Sequence, residues 1–323
     1  MTWTRSEVQY GILQKLCLHA IKYGPIPKHV AFIMDGNRRF ADSKMLKKSD
    51  GHLHGFTKLS ETLQWCRDIG IEEVSIFTFS IDNFNRSHEE VSFLMNLAEE
   101  KLQELLDNKD ELKEDDICIR VIGNLALLPA KVQNLAAQLM LVTRNHSKSI
   151  LNICMAYNSR NDITNAMEIV RLGVKEGKII PSDITQKLLS KCLYTRLSKP
   201  LDLLIRTSGE IRLSDFLTWQ VLENDTIYKF INNYWPEFSW WDFLSSILHY
   251  QISYLQLSPL IHSKRMMYNK LNNIHNDDSM NNNFILNRIH SNENEAHQQR
   301  INSFLDYLDQ TFWQNMTILA TSF

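Results

Sequence analysis

The sequence has 323 residues, 44% hydrophobic and 22% charged, with 35 Lys plus Arg against 37 Asp plus Glu and a net charge of -2. This excludes a disordered or polybasic chain, and the balanced charge gives no field to hold nucleic acid. Five widely spaced cysteines without a Cys-x-x-Cys pair support neither a disulfide framework nor a zinc site.

In chain order, residues 1–24 carry Trp3, Val8, Ile12, Leu13, Leu16, Cys17 and Ile21 at helical spacing before Gly24-Pro25. This amphipathic helix either docks on the core or lies on a membrane surface. No run reaches the ~18 apolar residues of a bilayer span, and the N-terminus lacks the layout of a cleaved signal, which points to the cytosolic side. Strands are predicted at 29–34 (HVAFIM), 74–80 (VSIFTFS), 117–122 (ICIRVI), 151–157 (LNICMAY) and 203–206 (LLIR). They are apolar on both faces, as strands of a covered parallel sheet are. Helical spacing fills 53–69 and 89–106 between them. Alternating strand and helix predict an α/β fold, a mostly parallel sheet surrounded by helices within residues 25–260, with ligand sites just after the strands. Residues 261–300 read as a polar linker, with ten asparagines at 269–294, and 301–323 as an amphipathic tail helix. The tail's stripe of Ile301, Phe304, Leu305, Leu308, Phe312, Met316 and Leu319 needs either a partner or the body of the chain to cover it.

Three strand ends carry chemistry. Asp35-Gly36-Asn37-Arg38-Arg39 follows the first strand, where amides and guanidiniums converge as an anion site requires and Asp35 offers a hard ligand for Mg2+. The same five residues also fit a plain Asp-Gly turn with solvated arginines. Ser80, Asn83 and Arg86 follow the second strand and suit phosphate oxygens, or an Asx-type turn. Arg206, Arg212 and Ser214 flank a glycine turn after the strand at 203–206, making a second anion site or a turn paired with Glu210 and Asp215. His52, near the start of the helix at 53–69, is placed to cap structure or to donate to a phosphate. No P-loop, G-x-S-x-G or H-E-x-x-H is present.

The segments HVAFIMDGNRRFA, GHLHGF, FSIDNFNRS, DLLIRTSGEIRLSDFLTWQ and YWPEF, in this order from His29 to Phe238, resemble the cis-prenyltransferases. The opening MTW, the GPIPKH segment and the tail resemble the animal members. The resemblance implies an apolar product tunnel. It also implies repeated addition of isopentenyl diphosphate to farnesyl diphosphate with cis double bonds, giving the long polyprenyl diphosphate of dolichol synthesis and protein glycosylation. By motif, Asp35 holds Mg2+, and Asp35, Asn37, Arg39 and Ser80 are catalytic. Gly36, Arg38, Arg39, Lys48, His52, Asn83 and Arg86 take the allylic diphosphate, and Arg206, Arg212 and Ser214 take isopentenyl diphosphate. Trp65, Cys66 and Leu94 are candidates for setting product length. Asp82 stands where the family has Glu, and Lys48 where many members have Arg. Single-chain bacterial members end in Arg-x-Gly, whereas this sequence ends Ala320-Thr321-Ser322-Phe323. The resemblance therefore implies a Nogo-B receptor type partner subunit that supplies the motif, and a peripheral place on the cytosolic face of the endoplasmic reticulum membrane. The alternative is a non-catalytic accessory subunit that binds lipid or partner.

Overall fold

The computed structural model describes the backbone of residues 8–277 and 284–322, and the side chains of 8–259 and 295–322. The chain begins with α1 (Ile12–Ile21) and β1 (His29–Ile33), then α2 (Asn37–Ser43), α3 (Lys48–Ile69) and β2 (Glu73–Ser80). It continues through α4 (His88–Asp107), α5 (Lys109–Glu114), β3 (Ile117–Ile122), α6 (Ala130–Thr143), β4 (Ser149–Tyr157), α7 (Ser159–Lys175) and α8 (Gln186–Ser190). Last come β5 (Leu203–Arg206), α9 (Thr218–Glu223), β6 (Ile227–Phe230), α10 (Trp240–Asp277) and α11 (Phe284–Thr321).

The six strands lie in the order β3-β4-β2-β1-β5-β6, and every neighbouring pair is parallel. All five anticipated strands are present. The sixth, β6, is an edge strand whose Tyr228 is exposed, so it lacks the apolar run that marks the others. After β1 the chain lays down β2 beside it, then β3 at the sheet edge and β4 between them, and only later returns to the other side of β1 with β5. The switch point therefore falls between β1 and β5, where open α/β sheets bind ligands beyond the strand ends.

The main core joins one sheet face to α3, α4 and α6, through Leu59, Leu63, Leu102, Leu105, Leu135 and Leu139. α1 is shorter than the 24-residue segment anticipated, and residues 1–7 lie outside the described residues. It docks through Ile21, whose carbonyl accepts from Gln251 Nε2 at 2.7 Å, while Ile12, Leu13 and Leu16 stay exposed. The tail helix finds its cover on this same chain. Phe304 is buried against α7, Met316 joins the main core, and Asn134 Nδ2 of α6 donates to the Leu319 and Ala320 carbonyls at 2.9 and 3.0 Å. Buried Asp183 fastens the helix further, accepting from Arg300 at 2.9 Å and meeting His297 at 2.7 Å. Where a linker was anticipated over 261–300, the backbone is helical up to Asp277 and again from Phe284, and residues 278–283 lie outside the described residues. Asparagine costs a helix under about 1 kcal/mol per residue, so a polar tract does not by itself exclude one.

Candidate active site

β1 ends at the switch point and delivers Asp35 beside β5. Ile33 is in register with Arg206, which carries the Arg206 side chain under the Asp35 carboxylate. Arg206 Nη2 donates to Asp35 Oδ2 at 2.8 Å, and Nη1 donates to Ser214 Oγ at 2.7 Å and to the Arg212 carbonyl. Arg206 is only 3% exposed, so these acceptors replace its hydration. On the other side Arg39 Nη2 lies 3.1 Å from Asp35 Oδ1, and its Nη1 donates to Glu210 at 2.9 Å. Burial would push the Asp35 carboxyl up, but the Arg206 and Arg39 guanidiniums hold it below the usual carboxylate range. Thr207 clamps the same turn, its Oγ1 donating to the Asp35 carbonyl at 2.8 Å and accepting from the Asp35 N–H at 3.1 Å.

Gly36 opens α2 at φ 103°, in the left-handed region, and a Cβ there would meet the Tyr234 ring at 2.8 Å. Asn37 follows on the first turn of α2, facing α3. A Cβ on Gly55 would lie 2.3 Å from Asn37 Oδ1, so the close approach of α2 and α3 depends on that glycine. Asn37 Oδ1, His52 Nε2 and Ser208 Oγ are buried without a hydrogen-bond partner. Buried polar atoms are rarely left so outside binding sites.

Asn37 and His52 open onto a cavity of about 640 Å3 between the sheet and helices α3 and α4, whereas Gly36, Arg39 and Ser208 lie off its lining. Asp35, Asn37, His52, Ser80, Asn83, Arg86, Arg206 and Ser214 line it at the strand ends. Its deeper wall is apolar, formed by Phe56, Leu59, Leu94, Met95, Leu102 and Ile153. An anion cradle thus leads directly into an apolar sleeve. Leu94 lines the sleeve, but Trp65 and Cys66 do not. Trp65 lies nine residues beyond Phe56, about 180° around the helix, and packs on Phe238, Trp240 and Phe243.

Other anticipated residues lie off the cavity wall. Lys48 is exposed on the first turn of α3. Arg212 is largely exposed and pairs with Glu210. Arg38 reaches toward Glu90 at 3.8 Å. Of the residues on the wall, Ser80 and Asn83 are partly committed to their own turn, with Ser80 Oγ accepting from Asp82 N–H at 3.2 Å and Asn83 Oδ1 from Ser80 N–H at 3.1 Å.

Sequence reasoning missed Glu90 and Arg160. Glu90 accepts from Arg86 at 2.7 Å, holding it at the rim, and lies 3.8 Å from His52 Nε2, beyond hydrogen-bond reach. Burial lowers the His52 pKa to about 4, so its ring is neutral at pH 7 and can offer a phosphate an N–H but no charge. Arg160 lines the mouth, donating to Asp215 at 2.8 Å and lying 3.9 Å from Asp82. The i,i+4 spacing of Arg86, just before α4, and Glu90 on its first turn could have flagged Glu90. Nothing local marks Arg160.

The family implies a magnesium ion. Among the described residues, no group of three His, Cys, Asp or Glu side chains is arranged to hold a metal. One ionised carboxylate facing an anion cradle does fit Mg2+, which commonly takes one or two carboxylates and draws its other oxygens from phosphates and water. Asp35 is that carboxylate.

Residues 33–256 match the family model described as "Putative undecaprenyl diphosphate synthase". The chain belongs to the cis-prenyltransferase family. This cis-prenyltransferase is 46% identical over 254 residues to the dehydrodolichyl diphosphate synthase complex subunit DHDDS of Homo sapiens, covering 79% of this chain and 75% of that one. It is 39% identical over 242 residues to the tritrans,polycis-undecaprenyl-diphosphate synthase (geranylgeranyl-diphosphate specific) of Pyrococcus abyssi, covering 75% and 90%. Its fold is similar to the crystal structure of lavandulyl diphosphate synthase from Lavandula x intermedia in complex with dimethylallyl diphosphate, with a TM-score of 0.65 and 31% identity over 70% of this chain and 95% of that one.

Proposed function

We propose that this chain is the catalytic subunit of a dehydrodolichyl diphosphate synthase, adding isopentenyl diphosphate units repeatedly to farnesyl diphosphate with cis geometry. The observation that carries this reading is the continuity of the Asp35–Arg206 cradle with the apolar cavity between α3 and α4. An anionic head and a growing hydrocarbon tail find their solvents in one connected space.

In each cycle a carbon–carbon bond forms at the allylic carbon, diphosphate leaves that carbon, and a proton is lost from the isopentenyl unit. The charge that develops on the leaving oxygens is met by guanidiniums already held in place. Arg39 is fixed by Asp35 and Glu210, and Arg206 by Asp35 and Ser214, so little reorganisation is needed as the bond breaks. Asp35 would hold Mg2+, which when bound supplies further neutralisation of the departing diphosphate. His52, whose buried Nε2 lacks a partner, is placed to donate to the substrate head, and Asn37 lines the same cavity. Arg206 and Ser214 bind isopentenyl diphosphate beside β5, with Arg212 closing over from the exposed turn.

A partner subunit of the Nogo-B receptor type completes the site. The tail helix docks on α6 beside β3, three strands and about 14 Å of sheet from β1, so it brings no group to Asp35. The open edge of β6, with exposed Tyr228 and the nearby exposed Trp241 of α10, is the side of the sheet closest to Arg206 that a partner can reach. The exposed Ile12, Leu13 and Leu16 of α1 support peripheral contact with the cytosolic face of the endoplasmic reticulum membrane. Among the described residues, no helix is long and apolar enough to cross a bilayer.

Incorporation of labelled isopentenyl diphosphate onto farnesyl diphosphate with Mg2+ tests the reading, using the chain alone, the chain with the partner, and Asp35→Ala in each setting. Elongation that needs the partner and is lost in Asp35→Ala is expected. No incorporation in any mixture would favour an accessory subunit.

A further inference from the structure

A second cavity, of about 630 Å3, lies at the other edge of the sheet, between β3, α6, the loop at 192–198 and α11. It is as large as the catalytic cavity and shares no lining residue with it. Its wall includes apolar Met140, Leu193, Leu308, Phe312 and Met316. Arg120, Arg144 and Arg196 also line it, and no aspartate or glutamate does.

The three cations are placed differently. Arg196 lies over the Phe312 ring, 4.4 Å from its centroid, and Arg144 lies 5.8 Å from that of Trp313. The two rings are 5.1 Å apart, so both guanidiniums flank one aromatic pair on the tail helix. Arg196 meets Asp309 at 3.2 Å from outside the cavity lining. Arg120 donates to the Leu197 carbonyl at 2.8 Å and lies 3.8 Å from buried Glu73. These contacts leave a lining with an excess of positive charge beside an apolar floor. Water alone would satisfy the guanidiniums but leave the floor wetted, and a neutral hydrocarbon would fill the floor but leave the charge unanswered.

We propose that this cavity binds a single-chain anionic amphiphile, its carboxylate or phosphate beside Arg144 and Arg196 and its alkyl or prenyl tail along α11. Because α11 forms one wall, the ligand clips the tail helix to the body, and binding is linked to the stability of that docking. The proposal rests on the composition of this cavity and is independent of prenyl transfer.

The test is a titration of the full chain with the fluorescent carboxylate 11-(dansylamino)undecanoate, followed by displacement with oleate, farnesyl monophosphate or farnesol. Arg144→Glu reverses one cation at an exposed position, Thr311→Trp fills the cavity from its wall, and Leu94→Trp fills the catalytic cavity instead. Saturable binding that persists in Leu94→Trp, weakens at least tenfold in Arg144→Glu and disappears in Thr311→Trp is expected. Oleate, farnesyl monophosphate or both displace the probe, which identifies the preferred head group, and farnesol does not. Slower hydrogen exchange over 299–321 with ligand bound gives a second readout. Binding lost in Leu94→Trp, unchanged in Thr311→Trp, or displaced equally by farnesol would overturn the proposal.

Discussion

Arg206 and Asp35 are 171 residues apart in sequence, yet their side chains share a 2.8 Å hydrogen bond because β5 lies directly beside β1 with Arg206 in register with Ile33. The bond has two consequences. It keeps the carboxylate ionised, and it gives a nearly inaccessible guanidinium its counterion.

Asp35→Ala therefore removes a metal ligand and leaves Arg206 with a buried, unopposed charge. Prenyl transfer is expected to fall at least a hundredfold. Urea unfolding should report a loss of about 3–5 kcal/mol, the usual cost of leaving a buried charge without its partner. Arg206→Lys keeps a charge but cannot serve Asp35, Ser214 and the Arg212 carbonyl together, so it should lose activity almost as fully. Wild-type activity in the lysine variant would refute the geometric role given to the guanidinium.

Stability should depend on pH through His52. Its pKa falls from 6.5 to about 4 on folding, chiefly by burial, so the unfolded chain takes up the proton first as pH drops. Stability is then complete above pH 6.5 and declines toward pH 4, by about 3 kcal/mol over the window. Asp35 acts lower. Its depressed carboxyl contributes stability above its ordinary value near 3.8 that is lost as pH falls through the folded pKa, so the two windows separate. Urea melts from pH 7 to 4 should show the decline in wild type and a much flatter profile in His52→Gln. Equal profiles would mean that the ring is not buried in its neutral form.

Gly55 tests how closely α2 and α3 must approach. Gly55→Ala places a methyl group 2.3 Å from Asn37 Oδ1, so Asn37 must move. A stability loss of about 1–3 kcal/mol is expected, together with a higher KM for the allylic diphosphate. Gly70→Ala is the control, because nothing lies within 4 Å of its added Cβ and its positive φ confines the cost to the backbone.

The strands were legible because four of the five anticipated ones are inner strands and the fifth, β3, is covered on both faces, and burial on both faces leaves a largely apolar run. β6 escaped because Tyr228 and Lys229 interrupt its four residues. At the site, each strand end was recognisable from its own Asp, Asn, Ser or Arg. The pairings of Arg206 with Asp35 and of Arg160 with Asp215 were not, because they depend on strand order and loop path. The cavity-facing side of α3 was misjudged because its apolar residues lie on two sides of the helix, Phe56 and Leu59 on the cavity and Trp65 on the core. Trp65 and Phe56 both look like wall residues, and only the α3 phase separates them.

That phase makes product length a discriminating measurement. Leu94→Trp narrows the sleeve and should shift the polyprenyl products to shorter chains while the first condensation proceeds. Trp65→Phe is directed into the core beneath Phe238 and Phe243, so it should lower stability and leave the distribution unchanged. A shift in the second variant alone would place the sleeve on the wrong face of α3.

The Ile21 end of α1 is held by Gln251, and Tyr10 just before the helix packs edge-on against Trp240 at 5.2 Å while donating to Asp68 at 2.5 Å. The helix is thus fixed to the body, yet Ile12, Leu13 and Leu16 are 81%, 68% and 62% exposed. Docking does not need these side chains, so they are free to enter a lipid headgroup layer. Burying three such residues is worth roughly 1.5–3 kcal/mol each if complete, enough for reversible binding when combined with other contacts. The triple variant Ile12→Ser, Leu13→Ser, Leu16→Ser should lower partitioning onto liposomes at least tenfold, with the unfolding midpoint and the first-condensation rate in detergent unchanged. Unaltered liposome binding would remove α1 from the membrane contact, and a large fall in the unfolding midpoint would mean that this face packs on the protein instead.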